Sequence, residues 1–256
     1  MAIYGNIIQG VDESFSVYNA TYQQSYHSKS LGAYTETLLK HIYPALFFRQ
    51  YGSFCNKNIK ELFLKQVDSI QKHYKINADL TPLQHSIKTL TESMPTQKLM
   101  RPLRILDICF GLGYNAMLSL QYFQTCEIYS PEKDYFLQEL YNFPYHNIPQ
   151  SKTILHALHT HSLYQNDTQT LYYLHGDALA YLSSFSTGFF DIVFQDAFSQ
   201  AHNKELWDTR YFQALYNLTK TPCIITTYAK ARSVLEAAQQ AGFFVLKYVW
   251  GSVFYK

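Results

Sequence analysis

The chain has 256 residues, 47% of them hydrophobic and 16% charged, with 21 Lys+Arg against 19 Asp+Glu and a formal net charge of +2. This is the composition of an ordinary globular chain, large enough for one domain or a domain with an extension, and it excludes a disordered tail or a wholesale polycation. The near-neutral total still leaves room for a local basic patch. Cys55, Cys109, Cys126 and Cys223 form no Cys-x-x-Cys pair, so the expectation is reduced thiols in a cytoplasmic protein and no zinc knuckle. No run of about 18 apolar residues predicts a membrane span, and residues 1–5 lack the charged start of a signal peptide.

Short β-like stretches at Ile7 and over 15–18 open the chain, and an amphipathic helix is predicted over 31–48. Residues 51–100 read as helical and polar, with apolar spacing at Ile59, Leu62, Phe63, Val67 and Ile70. Arg49, Lys57, Lys60, Lys65, Lys72, Lys75, Lys88, Lys98, Arg101 and Arg104 are ten of the 21 basic residues, facing only Glu61, Asp68, Asp79 and Glu92. Such a stretch is either a solvated helical face or a landing surface for a polyanion such as RNA. From Leu103 the pattern alternates. Strands are predicted over 104–110, 127–129, 170–174, 191–195 and 222–227, with helices over 114–123 and 229–241. Residues 243–250 and 253–255 read as closing strands around Gly251-Ser252. Strands separated by helices imply an α/β fold with a mostly parallel sheet and an antiparallel edge. The expected division is an N-terminal β/helical extension over 1–50, a basic helical insertion over 51–100 and the α/β domain over 101–256.

Chemistry-bearing residues fall at the strand ends. Asp107 closes the first strand of the α/β domain, and Gly111 and Gly113 then open a helix, a turn that brings backbone N–H groups close to a ligand. An acid beside those glycines suits a cationic, ribose-bearing ligand better than a pyrophosphate. Glu132 lies about 20 residues further on, where a carboxylate accepts hydrogen bonds from two ribose hydroxyls. Asp177, in His175-Gly-Asp-Ala178, suits both an adenine amino group and a helix N-cap. Asp196 ends the next strand, at the edge where open α/β sheets bind ligands. The histidines show no metal-binding His-x-x-x-His pair with an intervening Glu, and no metal is expected. His27 is either a structural hydrogen-bonder or part of an N-terminal cover.

These residues resemble the methyltransferase domain of the bifunctional tRNA modification enzyme MnmC and its stand-alone relatives. The resemblance covers 1–50 and 101–256. It is carried by Tyr26-His-Ser28 with Gly32-Ala33 and Glu36, Phe110-Gly-Leu-Gly-Tyr-Asn115, Glu132-Lys-Asp134 and Gly176-Asp-Ala178. Further along it is carried by Asp196-Ala-Phe-Ser199 with Asn203 and Glu205-Leu-Trp207, Thr227-Tyr228 and Ala241-Gly-Phe243. Cys109 replaces the usual first glycine of the loop, and Gln200, His202 and Lys204 replace a proline, a lysine and a proline.

The resemblance implies a class I S-adenosyl-L-methionine (SAM) methyltransferase with a Rossmann-like seven-stranded sheet. By implication SAM is held by Tyr26, Glu36, Asp107, Gly111, Gly113, Asn115, Glu132, Lys133, Asp177, Ala178 and Asp196. Asp196 and Phe198 carry catalysis, while Phe198, Ser199 and Tyr228 contact the substrate. The implied reaction is N-methylation of 5-aminomethyl-(2-thio)uridine at the wobble position, with the tRNA anticodon stem-loop as partner. The chain has no room for the FAD domain, so a separate FAD-dependent or other enzyme is expected to supply the aminomethyl group. Two rivals remain on the residues alone: a spermidine synthase-like aminopropyltransferase, and a non-catalytic RNA-binding module with a vestigial pocket.

Overall fold

The computed structural model describes residues 6–93 and 101–256. Lys98 and the 1–5 stretch lie outside these described residues. Three apolar runs build the centre: β4 (Leu103–Ile108), β8 (Phe190–Gln195) and β9 (Thr219–Thr227). They pair in parallel, as strands buried on both faces do. β5 (Cys126–Glu132) and β7 (Gln169–His175) extend the parallel sheet on one side. The antiparallel hairpin of β10 (Phe244–Lys247) and β11 (Ser252–Tyr255) extends it on the other. The full order is β10-β11-β9-β8-β4-β5-β7-β6. The eighth strand, β6 (Leu163–Gln165), pairs antiparallel with β7 at the edge, where seven strands were expected. It is too short to show alternation in the sequence.

Neighbouring strand residues point to opposite faces, and the core divides accordingly. Ile105, Ile128, Ile192, Ile224 and Val253 join the core under α1 (Ala33–Thr37), α2 (Tyr43–Tyr51) and α5 (Tyr114–Tyr122). Leu106, Val193, Ile225 and Phe254 join the other, under α8 (Ala178–Leu182), α9 (Thr209–Leu218) and α10 (Arg232–Gln240). α6 (Leu137–Leu140) and α7 (Ser151–His161) fill the link between β5 and β6. After β4 the chain winds one way through β5 and β7, then returns beside β4 as β8. A crevice opens at the carboxyl ends of strands where the winding reverses.

Ahead of this sheet lies a small antiparallel one, β1 (Ile7–Gln9), β2 (Phe15–Asn19) and β3 (Gln24–Ser25). Its β1–β2 turn caps α1: Ser14 Oγ accepts from the Ala33 N–H at 2.6 Å, and Asp12 Oδ2 from the Thr35 N–H at 2.8 Å. The helix expected over 31–48 is α1 and α2 joined by a π turn, Leu38–Ile42. Pro44 supplies a physical reason. It has no N–H, so a carbonyl one turn earlier loses its helical donor. The Tyr248 hydroxyl faces the Leu39 and Lys40 carbonyls instead, at 3.1 and 3.2 Å. That duty belongs to a bend after β10, which is why the strand expected over 243–250 stops at Lys247.

Residues 51–93 form α3 (Lys57–Asn77), capped by Asn56, and α4 (Thr81–Ser93). Their apolar stripes are buried: Phe63, Val67 and Ile70 on α3, and Leu83, Ile87 and Leu90 on α4. Phe63 sits among Phe47, Phe54 and Tyr248, with ring centroids at 5.1, 5.0 and 5.4 Å. Arg101 and Arg104 are tied down rather than part of the basic face. Arg101 forks onto Asp191 at 2.9 and 2.7 Å, and Arg104 donates to Glu127 at 2.9 Å. Among the described residues, no helix is long and apolar enough to cross a membrane. Phe63→Ala is expected to cost about 3–5 kcal/mol of unfolding free energy in urea titration. Lys65→Ala should stay within about 0.5 kcal/mol.

Candidate functional site

A crevice of about 390 Å³ opens over the carboxyl ends of β5, β4 and β8 and is covered by residues of the N-terminal sheet. The β4–α5 loop shapes one wall. Cys109 adopts a left-handed conformation at φ 69°. That is a region most side chains avoid, and it accounts for a glycine being usual there. Gly113, at φ 78°, starts α5; a Cβ on it would meet the Phe110 ring at 2.6 Å. At Gly111, also left-handed, a Cβ would approach the Tyr26 ring at 3.1 Å. This bare backbone lets the tyrosine lie on the loop.

Glu132 ends β5 and binds the same loop. Its Oε2 accepts from the Gly111 N–H at 2.7 Å and its Oε1 from the Asp134 N–H at 2.9 Å. Burial pushes its carboxyl up to about 7, against the charge-stabilising backbone N–H groups of Asp134 and Gly111. Asp177 caps α8 through the Leu179 N–H at 2.8 Å and lines the crevice as well.

Asp196 follows β8 and sits between two donors. Asn115 Nδ2 donates to its Oδ2 at 2.9 Å, and His41 Nε2 lies 3.4 Å from its Oδ1. The latter is an ion-pair separation with poor hydrogen-bond alignment, since His41 Nε2 has no well-formed hydrogen bond. The Asp196 side chain remains 20% exposed, to the crevice. Burial alone would raise the Asp196 pKa; the charge of nearby His41, with help from His27 and the Asn115 hydrogen bond, outweighs that and holds it at about 2. The loop that follows is braced from outside. Trp207 Nε1 donates to the Phe198 carbonyl at 2.7 Å, and the Tyr228 hydroxyl to the Ala197 carbonyl at 2.9 Å.

The N-terminal cover supplies aromatic rings. Phe198 packs with Tyr22 at 4.7 Å and Tyr26 at 5.0 Å between centroids. His27 is buried against Tyr114 and accepts or donates at Ser16 Oγ, and burial pushes its pKa down. Glu36 accepts from the Ser28 N–H and pairs with Lys40, fixing the cover to α1.

Of the residues singled out in the sequence, Tyr26, His27, Glu36, Gly111, Asn115, Glu132, Lys133, Asp177, Ala178, Asp196, Phe198 and Tyr228 line this crevice. Three do not. Gly113 acts through the turn that starts α5. Ser199 lies outside, its N–H donating to Gln24 at 3.3 Å. Asp107 is fully buried beneath the floor, where Ser130 donates to its Oδ2 at 2.8 Å. Burial pushes its carboxyl up to about 8, against the Ser130 hydrogen bond and with Asp196 adding to the rise. The sequence reading missed His41 and Tyr22 and gave no role to Lys29, Asp134, Asn203 or Glu205. His41 carried a signal: a polar residue between Leu38, Leu39, Ile42 and Tyr43 on a buried stretch.

The lining carries six carboxylates, Glu36, Glu132, Asp134, Asp177, Asp196 and Glu205, against Lys29 and Lys133. Such a site attracts cations. Buried Asn115 Oδ1 has no partner, leaving an acceptor beside the loop for a ligand's ammonium. These features fit SAM, which carries a sulfonium, an ammonium and a ribose.

Residues 136–249 match the sequence model of a family described as S-adenosyl-L-methionine-dependent methyltransferase. An uncharacterized protein of Methanocaldococcus jannaschii is 24% identical over 221 residues, covering 78% of this chain and 62% of that protein. The chain thus spans less than two thirds of that curated relative. The crystal structure of MnmC2 from Aquifex aeolicus superposes with a TM-score of 0.67 at 23% identity, covering 98% of this chain and 70% of that one. The fold is that of class I SAM methyltransferases, as in MnmC2, and residues 136–249 carry the sequence pattern of a SAM-dependent methyltransferase family.

Glu132 sets a pH dependence. Its folded value lies above that of an unfolded glutamate, so its stabilising share is complete below about pH 4 and is lost as pH rises through about 7. Hydroxyl donors from a ligand prefer the ionised form. SAM affinity is therefore expected to rise between about pH 6 and 8 with proton release, measured by calorimetry in buffers of different ionisation enthalpy. Glu132→Gln should weaken binding by about 10- to 100-fold and flatten that profile.

Proposed function

We propose that the chain transfers a methyl group from SAM to the primary amine of 5-aminomethyl-(2-thio)uridine at the tRNA wobble position, giving 5-methylaminomethyl-(2-thio)uridine. One observation carries this reading: an ionised carboxylate, Asp196, in an acidic crevice that is also lined by the mutually packed rings of Tyr22, Tyr26 and Phe198. The carboxylate suits an alkylammonium, and the rings suit a flat base taken out of its stack. The likeness in fold to Aquifex MnmC2 supports the same choice.

SAM, when bound, supplies an electrophilic methyl on a cationic sulfur. Glu132, Asn115, Asp177 and the Gly111 backbone hold it, under Tyr26 and the Glu36-anchored cover. The amine has to shed a proton first, which at pH 7 costs about 4 kcal/mol for a group with pKa near 10. With its pKa near 2, Asp196 is a poor final acceptor for that proton. It orients the amine through a hydrogen bond and stabilises the positive charge that moves onto nitrogen. The proton leaves to crevice water. Phe198, with Tyr228 bracing its loop from the side, aligns the base.

Lys60, Lys65, Lys72 and Lys75 are exposed along α3, and the Tyr74 hydroxyl bonds the Ser30 carbonyl at 2.9 Å, joining the end of this helix to the cover. These lysines form the landing surface for the tRNA backbone.

The test uses tRNA from cells that lack the protein, incubated with purified chain and SAM and read by nucleoside mass spectrometry. The methylaminomethyl nucleoside should appear, and Asp196→Asn should lower kcat by about 100- to 1,000-fold. Absence of that nucleoside, or full turnover by the variant, would overturn the reading. Charge reversal of the four α3 lysines should raise the KM for tRNA and reduce the salt dependence of binding. An unchanged KM removes that surface.

A further inference from the structure

We propose that His41 is a positioning residue for methyl transfer, holding one oxygen of Asp196 from beneath the crevice while Asn115 holds the other. The inference rests on the role given to Asp196 above and deepens it. His41 is 1% exposed and is not part of the crevice lining. An imidazole in so apolar a turn carries a desolvation cost that a leucine would not. Nδ1 is hydrogen-bonded, and Nε2 lies at ion-pair distance from the carboxylate without a well-aligned hydrogen bond. Thr226 Oγ1 lies 2.7 Å from Nδ1, and Asp196 Oδ1 lies 3.4 Å from Nε2. Thr226 pairs in register with Phe194, two residues before Asp196, and the imidazole packs tilted against the Phe194 ring at 5.3 Å between centroids. The ring therefore bridges β9 and the end of β8.

Two features make this bridge rigid. The π turn that carries His41 is closed by the Tyr248 hydroxyl on the Leu39 and Lys40 carbonyls. Where the Thr226 hydroxyl donates to Nδ1, a neutral imidazole keeps its proton on Nε2, facing the carboxylate; a protonated ring also presents N–H there. In both states an N–H lies behind Oδ1, at a heavy-atom separation of 3.4 Å. Alignment of nucleophile and methyl is sensitive to displacements of about 1 Å, so a carboxylate free to turn would lose rate without losing affinity. Among the described residues, the charged and titratable groups around this pair include Asp107, His27, Glu36, Lys40, Cys109 and Tyr228, with the Tyr248 hydroxyl on the helix side.

The experiment compares His41→Leu, His41→Gln and Thr226→Val with the intact chain. The readouts are kcat and KM for tRNA, SAM affinity by calorimetry, and the titration of the Asp196 carboxyl followed by 13C NMR. His41→Leu is expected to lower kcat about 10- to 100-fold while SAM affinity stays within about threefold. His41→Gln, whose amide reaches the same oxygen, should recover most of the loss, and Thr226→Val should show a partial one. The Asp196 midpoint should move up in His41→Leu. An unchanged kcat in the leucine variant would overturn the proposal. So would a loss that tracks SAM affinity, with glutamine no better than leucine. If the intact chain methylates no tRNA, the substrate assignment fails, yet the NMR titration still judges His41: a midpoint that does not move overturns it. Should the leucine variant not fold, the glutamine and Thr226→Val comparison decides.

Discussion

A carboxylate withdrawn from bulk water has to be held by charge or by donors, and the end of β8 is organised around that requirement. Asp196 receives Asn115 from α5 and His41 from the π turn, and His41 is itself held by Thr226 on β9. Two separate parts of the chain converge on one side chain, and a third backs one of them. The sheet reversal places Asp196 at the crevice, but the N-terminal helix makes an ionised group there tolerable. Without that helix the α/β layer would leave Asp196 with the Asn115 amide as its side-chain donor among the described residues.

The acids at the neighbouring strand ends are treated differently. Burial pushes Glu132 to about 7 and Asp107 to about 8, while Asp196 is held at about 2. Groups of one type are thereby driven apart by surroundings alone, a pattern that assigns separate tasks to chemically similar residues. Asp196 stays charged throughout the working range. Glu132 sits near its midpoint, so a ligand settles its state. Asp107 is buried outside the crevice lining and, paired with Ser130, ties β4 to β5.

Much of this architecture was legible in the sequence because strands buried on both faces leave dense apolar runs, as at residues 103–108 and 190–195. The glycine loop and the acids after each strand could be located for the same reason. What escaped depends on contacts distant in sequence. The π turn arises from Pro44 and Tyr248 together, and no local pattern links the two. β6 is visible only as a partner of β7. Asp107 looked like a crevice acid because its position in the strand is right; which way its side chain faces follows from Ser130, 23 residues on. His41 was hidden by an otherwise continuous apolar helix. Arg101 and Arg104 swelled the apparent basic patch, and only the fold reveals that Asp191 and Glu127 neutralise them.

The hydroxyl that completes the helix at Pro44 comes from residue 248, more than two hundred positions later. The turn bearing His41 is therefore complete only with the bend after β10 docked on the N-terminal helix, which ties the backing of Asp196 to a contact spanning most of the sequence.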